Sequence, residues 1–438
     1  MKSTRRGMQS PTELTSEVER RYMRMKKKPI TGMKDILPNE MEIRDYVIHL
    51  IKETYQTFGF YSMETPCVEH IENLTGKQGG ENEKLIFKIL KRGEKLNMDT
   101  ANKEEDLVDS GLRYDLTVPL SRYYANHTND LPAPFKALQI GNVWRADRPQ
   151  KGRFRQFMQC DIDILGEPTF LAEIELILAT TTLLGKLNFG DFVIRINDRK
   201  ILKAMAAYSG FTEEDYDKVF IILDKMDKIG QDGVAGELEK EGFAKTTIET
   251  YLGLFQTINK EQQGLAFLKD TLSQVMDSQV IEDLQTIMQS VEAAKTAEFK
   301  IVFDPTLVRG MSYYTGSIFE IAVEEFGASV GGGGRYDEMI GKFTGQETPA
   351  CGFSIGFERI IMLLLEKNFK VPIKGNKKAY LIEKNMPVEE MLNIIKQANE
   401  ERSQGVQVMV AMMKKNKKFQ KELLMSEGYQ EIQEFFLQ

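Results

Sequence analysis

Five cationic side chains crowd one short stretch of the chain: Arg145, Arg148, Lys151, Arg153 and Arg155. A guanidinium stays charged at any biological pH, and its planar fork fits phosphate oxygens two at a time. The cluster lies between two apolar segments, FKALQIGNVW before it and QFMQCDIDILG after it. Held there, it suits a polyphosphate; a solvated loop beside a half-exposed strand is the plainer alternative. The second segment adds another chemistry. Side chains alternate along a strand, so Met158, Cys160, Ile162 and Ile164 share one face while Phe157, Gln159, Asp161 and Asp163 share the other. The first set can pack a core. The second offers a ring, an amide and two carboxylates on one surface, as in a sheet with one face packed and one face holding a ligand.

These residues need a sheet beneath them and helices behind it. From Pro38, residues Ile43, Val47, Leu50, Ile51 and Phe58 follow helical spacing, and Gly59 ends it. Residues 60–68 read as a strand broken at Pro66, and 75–110 as a charged, irregular stretch. In GLRYDLTVPLSRY (111–123), Leu112, Tyr114, Leu116 and Val118 alternate with Arg113, Asp115 and Thr117, which predicts a second strand with a polar face. A buried helix is expected at 171–184 and a strand at 191–196.

From about 200 to 297 the pattern changes to amphipathic helices, at 214–228, 246–257, 260–274 and 280–297, as if a helical domain were inserted into a sheet-built one. Strands resume at 299–303 and 317–323. The glycines at 331–334 read either as a turn or as a place where backbone comes close to a ligand. Past a linker with Pro372 and Gly375, strand 378–383, helix 387–403, strand 406–412 and helix 416–427 make a small α/β module. The expected division is a flexible extension (1–28), a catalytic core in two parts (29–199 and 298–370), the insertion (200–297) and the terminal module (376–438).

Composition narrows the function. The chain has 438 residues, 42% hydrophobic and 28% charged, as in ordinary globular proteins of two or three domains. No apolar run approaches the ~20 residues that cross a bilayer. A net charge of -7 argues against a uniformly basic nucleic-acid surface, so RNA contact must come from local patches such as Lys414, Lys415, Lys417, Lys418 and Lys421. Cys67, Cys160 and Cys351 are too few and too scattered for a disulfide framework or a cysteine zinc site, and fit a reducing, cytoplasmic setting. The only histidines, His49, His70 and His127, lie near no nucleophile motif, which disfavours triad hydrolysis and histidine-ligated zinc.

Several segments together carry a family resemblance. The stretch 135–157 with Arg145-Ala-Asp147 resembles motif two of class II aminoacyl-tRNA synthetases, and GFSIGFER at 352–359 resembles motif three. The region of Thr65-Pro66 is similar to motif one. LVRGMSYYTG (307–316) and GGGGRYD (331–337) resemble the two signatures of histidyl-tRNA synthetases. The resemblance runs from about Ile30 to the C-terminus. It implies an α+β fold, an antiparallel sheet flanked by helices, with a helical insertion, a C-terminal domain shorter than the family's anticodon-binding domain, and a homodimer built partly on motif one.

The resemblance also implies a reaction. Histidine's carboxylate attacks the α-phosphate of ATP, pyrophosphate leaves, and histidine passes to the 3′ end of tRNA(His). Arg145 and Arg309 are the implied catalytic pair. The implied ATP site is Arg145, Asp147, Arg153, Phe157 and Arg359, with Phe157 and Arg359 on either side of adenine and Mg2+ bridging the phosphates. The implied histidine site is Asp115, Thr117 and Gln159 for the ammonium, with Asp163, Tyr313 and Tyr314 for the imidazole. The motif carries Ser312 where the family commonly has Asp. A non-catalytic alternative is the synthetase-like regulatory subunit of ATP phosphoribosyltransferase, which binds histidine, loses arginines of the ATP site and lacks the C-terminal module.

Overall fold

The computed structural model describes residues 26–75, 81–150, 152–260, 264–308, 313–323, 328–372 and 376–437. The chain divides into two compact units: residues up to Ile36 with Ile51–Ile360, and Leu37–Leu50 with Ile361–Gln438. The first helix, α1 (Pro38–Thr57), buries Ile43, Val47, Ile51 and Tyr55, four residues apart along one stripe. Gly59 stops it with φ 79°.

The larger unit is organised on an eight-stranded sheet. Its early strands are β1 (Tyr61–Met63), β2 (Val68–His70), β3 (Lys88–Leu90), β4 (Val108–Leu112), β5 (Phe135–Trp144) and β6 (Gln156–Leu165). The later ones are β7 (Phe192–Asp198), β8 (Phe299–Phe303), β9 (Ser317–Val323), β10 (Ala328–Arg335) and β11 (Ala350–Ile355). The sheet runs β1-β5-β6-β11-β10-β9-β7-β8, while β2, β4 and β3 form a separate small sheet. All interior pairings are antiparallel; only the two edges, β1 with β5 and β7 with β8, are parallel. The fold is α+β, as expected.

One face of this sheet is the core. Ile162 on β6 pairs with Phe353 on β11, Phe353 with Gly333 on β10, and Gly333 with Phe319 on β9, so these side chains lie in one row. The Phe319 and Phe353 rings stack across the gap that glycine leaves, 4.9 Å between centroids. A methyl on Gly333 would run into Phe319 and the Gly352 carbonyl. The glycine run is therefore neither a turn nor a loop: it is an interior strand. The helix Leu171–Lys186 packs its apolar residues Leu176, Ile177 and Leu183 into the buried interior.

Residues 111–123 are not the alternating strand expected from sequence. β4 ends at Leu112, and the helix Thr117–His127 follows after a short turn. The Asp115 carboxylate accepts from the Val118 amide at 3.1 Å, occupying one of the free donors of the first helical turn. Pro119, near the helix start, has no amide to lose there.

Residues 200–297 are more helical than their sequence suggested. Helices run over Arg199–Ser209, Tyr216–Leu223, Met226–Lys240, Lys245–Lys260, Gly264–Thr271 and Gln279–Ala294. The third was missed because Gly230, Gly233 and Gly236 lower its propensity; burial of Val234 and Leu238 overrides that, with a kink at Gly230 (φ 67°, ψ 179°).

In the smaller unit, β12 (Lys377–Ile382), β13 (Gln407–Met412) and β14 (Glu431–Phe435) form a parallel sheet with β12 in the middle. Alternation on β12 fills two cores: Tyr380 and Ile382 join Ile394 and Ala398, whereas Ala379 and Leu381 join Leu424. β14 went unrecognised in the sequence, where EIQEF shows no continuous apolar run.

Arg335, at the end of β10, anchors the glycine strand. Its guanidinium binds both oxygens of Glu173 at 2.7 Å, and the Ser317 hydroxyl donates to the same carboxylate at 2.6 Å. Glu173 is 3% exposed, so deleting it would leave the half-buried guanidinium with only Asp337 at 3.4 Å and the Glu167 and Thr169 carbonyls. Glu173→Ala is expected to lower stability by about 3–5 kcal/mol, measured by urea unfolding.

Candidate active site

The sheet's other face is the floor of a cleft of about 1210 Å³. Register explains its make-up. Asp161 on β6 pairs with Ser354 on β11, Ser354 with Gly332 on β10, Gly332 with Glu320 on β9, and Glu320 with Arg195 on β7. The neighbouring row holds Asp163, Gly352 and Gly334. The floor thus alternates acidic side chains with bare backbone. At Gly352 a methyl would collide with the Asp163 carboxylate, so glycine here keeps that carboxylate open to the cleft.

Four buried polar side chains define the acidic end: Asp115, Gln159, Asp161 and Asp163 are all at most 8% exposed. Gln159 Nε2 donates to Asp161 Oδ2 at 3.0 Å and to Ser354 Oγ at 3.3 Å. Tyr336 donates its hydroxyl to Asp163 Oδ1 at 2.6 Å. What remains open is more informative. Asp115 Oδ2, Gln159 Oε1 and Asp163 Oδ2 have no hydrogen-bond partner among the described residues. Buried acceptors left unpaired each carry a desolvation penalty of roughly 1–3 kcal/mol. A ligand rich in N–H donors would relieve it.

The carboxylates titrate accordingly. Burial raises the Asp115 pKa, against the Val118 amide and the Arg145 charge. Burial pushes Asp161 up to about 7, helped by the Asp115 charge and opposed by hydrogen bonds from Ser354 and Gln159. Burial, then the charges of Asp161 and Asp115, hold Asp163 well above the usual range in spite of Tyr336. The Tyr313 and Tyr336 phenols are also raised by burial and stay protonated. Tyr313 stands 4.9 Å from the Tyr314 ring and 6.0 Å from the Tyr336 ring.

The cationic end lies on the β5–β6 loop. Arg145, Arg148 and Arg153 line the cleft. Arg145 sits 5.1 Å over the Phe157 ring and donates to the Tyr114 carbonyl at 2.9 Å. Arg153 pairs with Asp147 at 2.9 Å, so Asp147 aims a cation. Arg155 instead donates to the Asp147 carbonyl and fixes the loop from behind. Arg359 hydrogen-bonds the Ser329 carbonyl, and both line the cleft.

Of the residues expected from sequence, Asp115, Thr117, Gln159, Asp163, Tyr313, Tyr314, Arg145, Asp147, Arg153, Phe157 and Arg359 all line this one cleft. Arg309, Ser312 and Lys151 fall outside the described residues. Arg113, expected beside Asp115 and Thr117, is not in the cleft. It is buried against Gly141 and binds the Thr65 and Asn142 carbonyls at 2.7 and 2.9 Å. The turn after β4 breaks the alternation that grouped it with them. Sequence reasoning gave no role to Tyr336, Ser354 or Glu358, which bind Asp163, Gln159 and the Met158 amide. Ser354 acts from β11, Glu358 from the helix Phe357–Glu366 and Tyr336 from just past the end of β10, all distant in sequence from their partners. The stretch 200–297 also reaches the cleft through Asp227, which pairs with Arg195 of β7 at 3.1 Å; Arg195 also meets Asp304 at 3.4 Å.

Comparison with known proteins decides the family. The family model of histidyl-tRNA synthetase matches residues 32–360. The chain belongs to the histidyl-tRNA synthetase family. Among curated relatives, the histidine–tRNA ligase of Leifsonia xyli subsp. xyli is 46% identical over 347 residues, covering 77% of this chain and 80% of that protein. A crystal structure of histidyl-tRNA synthetase from Nostoc sp. PCC 7120 superposes with a TM-score of 0.74 at 29% identity, over 93% of this chain and 90% of that one. A structure titled an ATP phosphoribosyltransferase regulatory subunit/histidyl-tRNA synthetase from Bacillus halodurans C gives 0.75 at 20% identity, covering 94% and 99%, and shares the fold.

The acidic end predicts a pH signature. The folded protein holds the Asp161 proton more tightly than the unfolded chain does. Stability from that proton is complete below the ordinary carboxylate value and is lost as pH rises through about 7. Asp161→Asn should therefore stabilise the unliganded protein at pH 8, by on the order of 2–4 kcal/mol, and leave it near the parent at about pH 3.5. Thermal melts at the two pH values check this.

Proposed function

We propose that the acidic end of the cleft takes L-histidine, the cationic end takes ATP, and the two react where the ends meet. The activity is that of a histidine–tRNA ligase. Histidine's carboxylate oxygen bonds to the α-phosphorus, the bond to the bridging oxygen breaks, and pyrophosphate leaves with that electron pair. The adenylate then yields its histidyl group to the 3′ end of tRNA(His), and AMP departs.

The observation that carries this assignment is the trio of unpaired buried acceptors, Asp115 Oδ2, Gln159 Oε1 and Asp163 Oδ2. An α-ammonium has three N–H donors and an imidazole supplies another. Asp115 and Gln159, with the Thr117 hydroxyl, would take the ammonium. Asp163, held by Tyr336, would accept from the ring, with Tyr313 and Tyr314 beside it. A site of buried hydrogen bonds rejects analogues that leave its groups unpaired.

At the other end, fixed guanidinium groups meet charge that builds on phosphorus and the leaving oxygens. Arg145 would hold the α-phosphate, and Arg309 joins it on the motif match alone. Arg153, aimed by Asp147, would reach the outer phosphates. Phe157 and Arg359 would flank adenine. Magnesium enters as part of the nucleotide substrate; among the described residues no group of three His, Cys, Asp or Glu side chains forms a cage of its own, and ions of this kind are held largely by phosphates and water.

The same reading takes residues 200–297 as the insertion over the cleft and 376–438 as a short anticodon-binding-like domain. It places the enzyme in the cytoplasm as a homodimer through the Thr65-Pro66 region. No helix is long and apolar enough to cross a membrane. Nothing favours the regulatory-subunit reading, since Arg145, Arg153 and Arg359 all face the cleft.

Histidine-dependent exchange of pyrophosphate into ATP tests the assignment. Gln159→Ala is expected to raise KM for histidine by about 10-fold or more, with KM for ATP little changed. Arg145→Ala should cut the exchange kcat by roughly 10²–10³. Equal losses for both substrates in Gln159→Ala would overturn the division of the cleft.

A further inference from the structure

Asp161 has no direct partner in the scheme above, yet it is buried at 4% exposure in the cleft floor, flanked by Gln159 and Asp163 on the same strand face. A third acid beside two that already serve the substrate adds repulsion, so its presence asks for a reason. The geometry supplies one. A carboxamide has two ends of nearly equal size and opposite polarity, and a half-turn about its last bond exchanges them. Facing an ammonium, the oxygen end binds and the NH2 end repels. Among the described residues, Gln159 has nothing else to fix its orientation. Its oxygen is unpartnered, and its nitrogen is its only anchored atom, donating to Asp161 at 3.0 and 3.4 Å and to Ser354 at 3.3 Å.

We infer that Asp161, backed by Ser354, is the positioning residue that locks the Gln159 amide with its oxygen toward the α-ammonium of the amino-acid substrate. This rests on the assignment of the acidic end to histidine. An acid is the appropriate anchor: when ionised, a carboxylate only accepts, so it can hold the NH2 end and cannot hold the oxygen. Asparagine at this position could pair with either end of the amide. Ser354 reaches the same nitrogen from the register-paired position on β11, so two strands share the task. Asp161 therefore acts on the ammonium at one remove, and its effect belongs to ground-state recognition.

The experiment is pyrophosphate exchange by the full-length enzyme with L-histidine, with histidinol and imidazolepropionate as competing inhibitors. Histidinol keeps the ammonium and lacks the carboxylate; imidazolepropionate keeps the carboxylate and lacks the ammonium. Asp161→Asn is expected to raise KM for histidine and Ki for histidinol by a common factor of about 10, with a much smaller change in kcat and an unaltered Ki for imidazolepropionate. Ser354→Ala should give the same pattern more weakly, and it carries the test if Asp161→Asn does not fold. In a Gln159→Leu background Asp161→Asn should add little, because both act through one amide. Equal weakening of all three ligands, additive losses, or no loss at all would overturn the inference while leaving the histidine assignment intact. Absence of histidine-dependent exchange by the parent enzyme would overturn that assignment and this inference with it.

Discussion

The molecule is built around a set of buried acceptors that it does not satisfy by itself. Interiors ordinarily pair their polar groups, as in the doubly held Arg335–Glu173 contact behind the cleft. On the polar face of β6 and in the turn after β4, the cleft does the opposite among the described residues. Asp115, Gln159 and Asp163 each keep one oxygen open and buried, and the strands alongside are stripped to glycine so that a ligand can reach them. The rest of the larger unit keeps that arrangement from collapsing. Stacked phenylalanines support the sheet from below, Arg335 ties down the glycine strand, and Tyr336 fixes one oxygen of Asp163 so that the other stays available.

Opposite charges are divided across one cleft. Acids stand on the strand and cations on the loop that precedes it, so a single β5–β6 hairpin carries both Arg145 and Asp163. Each end suppresses a different wrong outcome. Carboxylates that rise in pKa when the cleft is empty avoid an uncompensated cluster of negative charge. Guanidinium groups cannot lose their charge, so their loop is held by carbonyls and by Asp147. On the proposed reading the amino acid's ammonium is held at one end and the nucleotide's phosphates at the other, which leaves the carboxylate facing the α-phosphorus before any bond changes.

The sequence made the cationic loop and the β6 face readable because both are local. Alternation over ten residues and a run of arginines need no knowledge of the neighbours. That reasoning failed where a side chain redirected the backbone: Asp115 accepts from the helix that follows β4, and the expected strand becomes a turn, which sends Arg113 to a structural role. The glycines of β10 were ambiguous because their meaning lies in what faces them, Phe319 on one side and the cleft on the other. Tyr336 and Ser354 were unassigned for the same reason. Their partners are 173 and 195 residues away in the chain, brought close only by strand register.

The central claim is that the acids of the empty cleft hold their protons more tightly than ordinary carboxylates and release them when the substrate's donors arrive. Calorimetric titration with L-histidine at pH 7, in two buffers with different heats of ionisation, measures the protons exchanged on binding. A net release of protons is the predicted result, lost in part when Asp161 is replaced by Asn. Binding with no proton exchange, or with net uptake, would contradict the account.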